Sequence, residues 1–209
     1  AGGGCPPAPP RGPRGAAPAG GAPAGGARPP ASNRNGPAGA TVPNQVTVAA
    51  VVVSVALGAF VALRAPERWP FLLIPAWMFV RMAFNAIDGM LAREFGQASR
   101  LGAYLNELAD VVSDAALYLP FAFVAPFSPL WTGAVIVLAV VSEYAGVLGP
   151  LAGASRRYDG PLGKSDRAFA FGALGLWIGL SAALPDWAAW AMLALAALLA
   201  VTIVNRVRA

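Results

Sequence analysis

Histidine is absent from this chain of 209 residues, and cysteine occurs once, as Cys5. These absences exclude metal sites built from histidine and cysteine, and they exclude a disulfide within the chain. Charged residues are also scarce, at 12% of the sequence, whereas an average soluble domain has about 25%. Hydrophobic residues make up 57%. The composition therefore favours an integral membrane protein over a soluble protein with an unusually apolar core.

Residues 1–42 differ in composition from the rest of the chain. They are almost entirely Gly, Pro, Ala, Arg, Ser and Asn, with no aromatic residue and no carboxylate. Such a segment cannot bury enough apolar surface to offset its chain entropy, which predicts a disordered tail without a signal peptide. The tail is either a non-functional extension or a basic tether to anionic lipid. The tether would use Arg11, Arg14, Arg28 and Arg34.

Residues 43–209 are predicted to form one membrane domain. They contain six apolar runs, at positions 46–63, 71–91, 101–124, 130–148, 168–183 and 187–204. A membrane-spanning helix needs roughly 17 to 25 residues, so the fold class is predicted to be an all-α bundle of six transmembrane helices. Pro185 and Asp186 predict a tight turn between the last two runs. Pro120 predicts a kink inside the third run.

The basic residues predict the orientation of the chain. A net charge of +5 would suggest a nucleic acid partner in a soluble protein, but here Lys and Arg lie between apolar runs, so none is predicted. One predicted side of the membrane holds only Arg64 and Arg68. Both termini are therefore predicted to be cytoplasmic. The cytoplasmic side holds the tail arginines and Arg93, Arg100, Arg156, Arg157, Lys164, Arg167, Arg206 and Arg208.

Polar side chains gather on the second and third runs. Asn85 and Asp88 are three residues apart and share a helix face, while Asn106, Asp110 and Asp114 are spaced by four and form a stripe. Since the two runs form an antiparallel hairpin, we expect the stripes to face each other just inside one edge of the membrane. The alternative is a set of polar contacts that only hold the helices together.

The carboxylates of this hairpin predict a metal ion. Arg93 can neutralise only one of Asp88, Glu107, Asp110 and Asp114, whereas a divalent cation can neutralise several. Carboxylates inside a bilayer are costly and are usually paired or functional. Oxygen-only ligands suit hard ions such as Mg²⁺ or Mn²⁺, which commonly handle phosphate in enzymes.

These residues follow a long pattern, Asp88-Gly89-x2-Ala92-Arg93-x8-Gly102-x3-Asn106-x3-Asp110. The pattern resembles the signature of the CDP-alcohol phosphatidyltransferases, Asp-x2-Asp-Gly-x2-Ala-Arg-x8-Gly-x3-Asp-x3-Asp. The resemblance extends from position 42 to the C-terminus, and the segment from Pro43 to Thr47 is similar to the family's entry segment. It implies six transmembrane helices and an active site at the cytoplasmic edge. The first and third aspartates of the signature are Asn85 and Asn106 here, which removes two negative charges from a site for one or two divalent ions.

The resemblance also implies a role for each matching residue. Asp110 would be the general base that accepts the proton of the acceptor hydroxyl. The implied metal ligands are Asp88 and Asp110, together with Asn85 and Asn106 at the other two signature positions. Asp114, one turn beyond Asp110, and Glu107 are the nearest candidates to compensate for the two lost charges, and Asp114 is predicted as a further metal ligand. Arg93 would contact phosphate. The cytidine nucleotide would approach the backbone closely at Gly89, Ala92 and Gly102.

A basic loop between the fourth and fifth runs carries Arg156, Arg157, Lys164 and Arg167. It is predicted to bind the phosphate of a phosphorylated acceptor, the alternative being ordinary positive-inside charge. The Gly-Lys-Ser of this loop is not a P-loop, because the upstream glycine spacing and the preceding strand are missing. Glu143 is predicted to be a wall of the site or a partner of Arg167.

Together these features predict a multi-pass enzyme of the inner or plasma membrane. It would transfer a phosphatidyl group from CDP-diacylglycerol to an alcohol and release CMP, with Mg²⁺ or Mn²⁺ as cofactor. Its partners would be these substrates, membrane lipid and, as is common in the family, a second copy of the chain. One alternative is a non-catalytic relative, which Asn85 and Asn106 favour. The other is a small transporter, which would place its charges near the bilayer midplane rather than at one edge.

Overall fold

A computed structural model of the chain describes Gly2 and residues 41–94 and 100–208, with side chains for 45–84 and 101–208. The described helices belong to one compact unit, Pro37–Ala209, and no strand occurs among them. The predicted tail lies outside the described residues, apart from Gly2 and the two residues that begin the first helix. The α-helices are α1 Thr41–Leu63, α2 Leu73–Glu94, α3 Arg100–Tyr118, α4 Pro129–Leu148, α5 Lys164–Leu180 and α6 Trp190–Arg208.

Short 3₁₀ segments mark the places where proline interrupts the apolar runs. Pro120 was predicted to kink the third run; α3 ends at Tyr118 and the chain continues as a 3₁₀ segment, Leu119–Phe123. This change follows from the missing N–H of proline and from the clash of its ring with the preceding turn. Pro185 and Asp186 lie between α5 and α6, which confirms that the last two runs are separate helices.

Three helical segments of the described chain are long and apolar enough to cross a membrane. They are Gln45–Leu63, Pro129–Ala152 and Asp186–Arg208, and Trp69–Phe84 is a shorter apolar helix. α3 is not among them, because its acidic residues interrupt its apolar surface. Many large apolar side chains point outward, as with Phe79 at 76% exposure, which is the pattern of a surface covered by lipid.

The described α-helices pack mainly in three pairs. α1 packs along α3, α2 along α5, and α4 along α6. Gly58 allows the first contact, because a Cβ atom there would lie 2.2 Å from the carbonyl oxygen of Ala116. An aromatic cluster fills the space between α3 and α5, with the rings of Tyr118 and Phe171 stacked at 3.7 Å and that of Phe121 5.0 Å from Phe171. These contacts fix α3 against its neighbours.

Candidate active site

Arg81 of α2 joins the two aspartates of the α3 stripe. Its Nη2 lies 3.1 Å from Oδ1 of Asp110, and its Nη1 lies 2.9 Å from Oδ1 of Asp114. Arg81 and Asp114 are each 7% exposed, so this contact is buried. A planar guanidinium can hold two carboxylates at once, which fixes the position of α2 relative to α3.

Lys164, the first residue of α5, is the second cation at Asp110. Its Nζ contacts Oδ2 of Asp110, while its side chain remains 37% exposed. The Asp110 side chain is 13% exposed. The carboxylate predicted to act as the base is therefore held between a buried arginine and a lysine that solvent and solutes can reach.

A chain of buried ion pairs continues from this point through α5, α4 and α6. Nη2 of Arg167 lies 3.6 Å from Oδ2 of Asp114 and 2.8 Å from Oε1 of Glu143. Nη1 of Arg206 lies 3.6 Å from the same Glu143 oxygen and donates to the carbonyl of Ser142. The predicted pairing of Glu143 with Arg167 is thereby confirmed.

The basic loop is held against the carboxylates by Arg156. Its Nη2 donates to Oε2 of Glu107 at 2.8 Å and lies 3.9 Å from Oε2 of Glu143. Its guanidinium also lies 5.3 Å from the ring centroid of Tyr158. The hydrogen bond with Glu107 raises the pKa of Arg156, so this loop cation keeps its charge at any physiological pH.

Backbone contacts place this loop on α4 and α6. The amide of Arg157 donates to the carbonyl of Gly146, and the amide of Leu162 donates to Oγ1 of Thr202 at 3.0 Å. Gly160 has a φ of +130°, and a Cβ atom there would lie 2.6 Å from Cγ2 of Thr202. The loop therefore needs glycine at this position. Its contacts with α4 and α6 fix the backbone that carries the basic side chains.

A small cavity lies beside Asp110, between α1, α2 and α3. Its polar lining includes Thr47, Arg81, Asn106, Asp110 and Ser113. The Ser113 hydroxyl is buried and has no hydrogen-bond partner among the described residues. Asn106, Asp110 and Ser113 present oxygen ligands of the kind that hard divalent ions prefer, whereas Arg81 adds a positive charge to the same lining. Among the residues with described side chains, no group of three or more Asp, Glu, His or Cys residues is placed to hold a metal ion.

Two further openings adjoin this cavity. An apolar groove between α1 and α3 shares Thr47 and Ala109 with it and is otherwise lined by aliphatic side chains from Val48 to Val112. On the other side of Arg81, a second cavity is lined by Asp114, Lys164 and Ser165, together with methionines of α2. The cavity at Asp110 therefore adjoins an apolar groove, and it shares Arg81 with the opening at Lys164.

The structure overturns one step of the sequence argument and changes the surroundings of two predicted residues. A divalent ion is not needed to balance Glu107, Asp110 and Asp114, because Arg156, Lys164, Arg81 and Arg167 already pair with them. Arg167 was predicted to bind substrate, yet it is 1% exposed and sits behind the loop, where buried carboxylates hold it. Asp114 was predicted as a metal ligand, and the structure places it between two arginines.

Other predicted residues lie outside the described side chains, namely Asn85, Asp88, Gly89, Ala92 and Arg93. Gly102 lies on α3 and is half-buried, and Arg157 is half-buried in the loop. Arg81, Arg206 and Thr202 were not predicted as residues of the site. A signal for Arg81 was present: an arginine in the middle of an apolar run is costly unless it has a carboxylate partner, which points to the α3 stripe.

Comparison with known proteins gives a consistent assignment. The profile of the CDP-alcohol phosphatidyltransferase family matches residues 40–204. The chain is 44% identical over 147 residues to the inner membrane protein YnbA of Escherichia coli (strain K12), covering 70% of this chain and 71% of that protein. It is 37% identical over 76 residues to the phosphatidylinositol phosphate synthase of Mycobacterium marinum (strain ATCC BAA-535 / M), covering 36% of this chain and 31% of that protein.

Solved structures with the same fold come from Mycobacterium tuberculosis. The phosphatidylinositol phosphate synthase PgsA1 with CDP-DAG bound superposes with a TM-score of 0.65 at 24% identity, covering 79% of this chain and 84% of that one. The same enzyme in complex with manganese and citrate gives the same TM-score and identity, covering 79% and 80%. At this identity the likeness shows a shared fold.

Proposed function

Since this chain belongs to the CDP-alcohol phosphatidyltransferase family of membrane enzymes, we propose that it moves a phosphatidyl group from CDP-diacylglycerol to an alcohol and releases CMP. The observation that carries the proposal is the setting of Asp110. Its carboxylate borders a cavity with oxygen donors, lies next to an apolar groove, and contacts a lysine that a second substrate can reach. A lipid nucleotide and a polar acceptor could therefore meet at this carboxylate.

The apolar groove between α1 and α3 fits an acyl chain of CDP-diacylglycerol. Its lining is entirely apolar or aliphatic apart from Thr47, and it opens next to the polar cavity at Asp110. A diacylglycerol in this groove would direct its phosphate toward the cavity, because the ester head group cannot enter the aliphatic part without losing its hydration. The groove thus orients the lipid with its reactive phosphorus near Asp110.

Asp110 acts as the general base in this proposal. The acceptor hydroxyl oxygen bonds to the phosphatidyl phosphorus, the bond from that phosphorus to the CMP oxygen breaks, and Asp110 accepts the hydroxyl proton. Arg81 holds Oδ1 of the carboxylate, which leaves Oδ2, the atom at Lys164, as the one that faces the acceptor. An acceptor phosphate that binds Lys164 would draw the ammonium away and free this oxygen.

A divalent metal is part of the family's chemistry, and the oxygen donors at the cavity fit one. The residues that would hold it are Asp88 and Asp110, with Asn85 and Asn106 as neutral ligands. When bound, Mg²⁺ or Mn²⁺ supplies Lewis-acid stabilisation for negative charge on the pyrophosphate and on departing CMP. Arg93, Gly89, Ala92 and Gly102 would contact the nucleotide, as the signature implies.

The acceptor is proposed to be a phosphorylated alcohol, such as glycerol 3-phosphate or an inositol phosphate. Lys164 lines the opening on the acceptor side. Arg156 and Arg157 belong to the adjoining basic loop, which Thr202 holds through the amide of Leu162. A cationic, preorganised loop binds a phosphate monoester better than an uncharged alcohol. The names of the two mycobacterial relatives, phosphatidylinositol phosphate synthases, support the same class of acceptor.

We also propose the predicted topology. The protein would lie in the inner or plasma membrane and cross it six times. Both termini and the basic loop would then face the cytoplasm. The more polar α2, α3 and α5 would cross as the inner helices of the bundle, because their charges pair with one another in buried contacts. As in the family, the working unit would be a homodimer.

The test is CMP release by purified protein in detergent, with CDP-diacylglycerol, Mg²⁺ or Mn²⁺ and a pool of phosphorylated and unphosphorylated alcohols. An Asp110→Asn variant keeps the shape of the side chain and removes the base. We expect metal-dependent release that this variant abolishes, and a phosphorylated alcohol should drive it. If the folded protein binds CDP-diacylglycerol and releases no CMP with any acceptor, the non-catalytic alternative that Asn85 and Asn106 favour is correct.

A further inference from the structure

Arg81 is a buried charge that contacts no substrate in the proposed reaction. It extends from α2 across the hairpin and bonds to one oxygen of Asp110 and one oxygen of Asp114. It also lines both the cavity at Asp110 and the basic opening on the acceptor side. Its positive charge therefore acts on anything that binds in either space, at a distance set by a rigid fork of hydrogen bonds.

The negative charge around Asp110 is unusually low for a site built on this signature. Asn85 and Asn106 stand where the signature has aspartate, and Arg81 and Lys164 both contact Asp110 itself. Arg81 cannot leave, because it is 7% exposed and is held by two carboxylates. Lys164 is on the solvent side and can turn away. A cation that binds at Asp110 therefore meets one permanent positive charge.

We infer that Arg81 is a built-in counter-cation of the site: it positions the Asp110 and Asp114 carboxylates and weakens the binding of a divalent ion beside Asp110. Arg81 is thus a positioning residue. The inference deepens the proposed function and rests on it for the expectation that a metal binds there. It explains how two aspartates of the signature can be asparagine, because a permanent guanidinium supplies local positive charge at Asp110 that metal ions would otherwise supply.

The experiment measures Mn²⁺ binding without turnover, by electron paramagnetic resonance of free Mn²⁺ titrated into the full chain in detergent. Arg81→Gln removes the charge, Arg81→Lys keeps it with poorer bridging, and Arg206→Gln is the matched control. Arg206 is also buried, at 5% exposed, and contacts Glu143 rather than the aspartates. We expect Arg81→Gln to bind Mn²⁺ at least about tenfold more tightly than the unaltered chain. Both other variants should stay within about threefold, because they keep the charge at Asp110.

A second pair of variants covers the case in which Arg81→Gln does not fold. Replacing both members of a buried ion pair is far better tolerated than removing one, so Arg81→Met is combined with Asp114→Asn and compared with Asp114→Asn alone. This comparison cancels any contribution of Asp114 as a metal ligand. We expect the double variant to bind Mn²⁺ at least about tenfold more tightly than the single variant.

Unchanged or weaker Mn²⁺ binding after the loss of Arg81, in whichever pair folds, would show that Arg81 only holds the helices together and would overturn the inference. The result is separate from the proposed function. Tighter binding in a chain that never releases CMP would support the role of Arg81 and contradict the transferase proposal. Catalysis with Mn²⁺ binding that is insensitive to Arg81 would do the reverse.

Discussion

Single residues decide what the acceptor side of the site can bind, and Lys164 is the first to test. It is the more accessible of the two cations described at Asp110, and it lines the opening next to Ser165. Its neutral variant, Lys164→Gln, should raise the KM for a phosphorylated acceptor by roughly 10- to 100-fold, which is the usual loss for one charge-assisted hydrogen bond. The KM for CDP-diacylglycerol should change little. Initial-rate measurements with each substrate varied in turn test this.

The control for Lys164 is Arg208→Gln, which removes an exposed positive charge at the C-terminal end of α6. It should leave both KM values nearly unchanged, since Arg208 lines neither the cavity at Asp110 nor the opening at Lys164, and an exposed charge is screened by salt. Equal effects of the two variants would mean that only overall charge matters and would contradict a phosphate pocket at Lys164.

Gly160 is the residue on which the shape of the basic loop depends. Its φ of +130° is unfavourable for other residues, and a Cβ atom would collide with Thr202. Gly160→Ala should lower stability by about 1 to 3 kcal/mol and weaken acceptor binding. Gly153→Ala is the matched control, because Gly153 has a φ of +80° but nothing within 4 Å of the added atom. Thermal unfolding in detergent should rank Gly160→Ala below Gly153→Ala, and an equal loss would contradict the contact with Thr202.

At the scale of whole elements, sequence patterns predict the helices well and their partners poorly. The apolar runs give six described helices, since each run is bounded by proline, glycine or charge that cannot stay in an apolar span. Patterns within a run say which residues share a face, and so the stripe with Asp110 and Asp114 could be predicted. They do not say which helix lies opposite. Arg81 and Arg206 were missed for this reason, because their partners are 29 to 64 residues away in the chain.

The close packing of α1 on α3 is the element contact on which the site most depends, because the cavity and the groove both lie between these helices. A methyl group at Gly58 would lie 2.2 Å from the carbonyl oxygen of Ala116, which is backbone and cannot turn aside. Gly58→Ala should therefore push the helices apart, cost about 1 to 3 kcal/mol, and lower CMP release. Thermal unfolding and CMP release of the purified variant measure both effects.

Gly133→Ala provides the comparison for Gly58→Ala, since Gly133 of α4 has open space where a Cβ atom would be added. It should change neither stability nor activity beyond the small gain expected from alanine in a helix. A Gly58→Ala protein as stable and active as Gly133→Ala would show that α1 does not approach α3 this closely.

The described helices form a bundle with several charged side chains buried inside it and many large apolar side chains on its outer surface. Arg81, Asp114, Arg167 and Arg206 are each at most 7% exposed, whereas Phe79 and Leu151 are 76% and 83% exposed. Such an arrangement is stable only where lipid replaces water around most of the helices. The proposed topology places the basic loop, which is partly exposed, at an edge of the membrane.

The position of that edge gives the last prediction. Asp159, in the basic loop, and Asp186, in the turn between α5 and α6, are both exposed and lie at opposite ends of α5. With Cys5 replaced by serine, a cysteine introduced at Asp159 should react with a membrane-impermeant maleimide only in inside-out vesicles. A cysteine at Asp186 should react only in intact cells, because α5 crosses the membrane between the two positions in the proposed topology. Labelling of both from one side would show that α5 does not cross and would exclude six crossings. Labelling with the two sides exchanged would place the site on the outer face of the membrane and would contradict the proposed cytoplasmic active site.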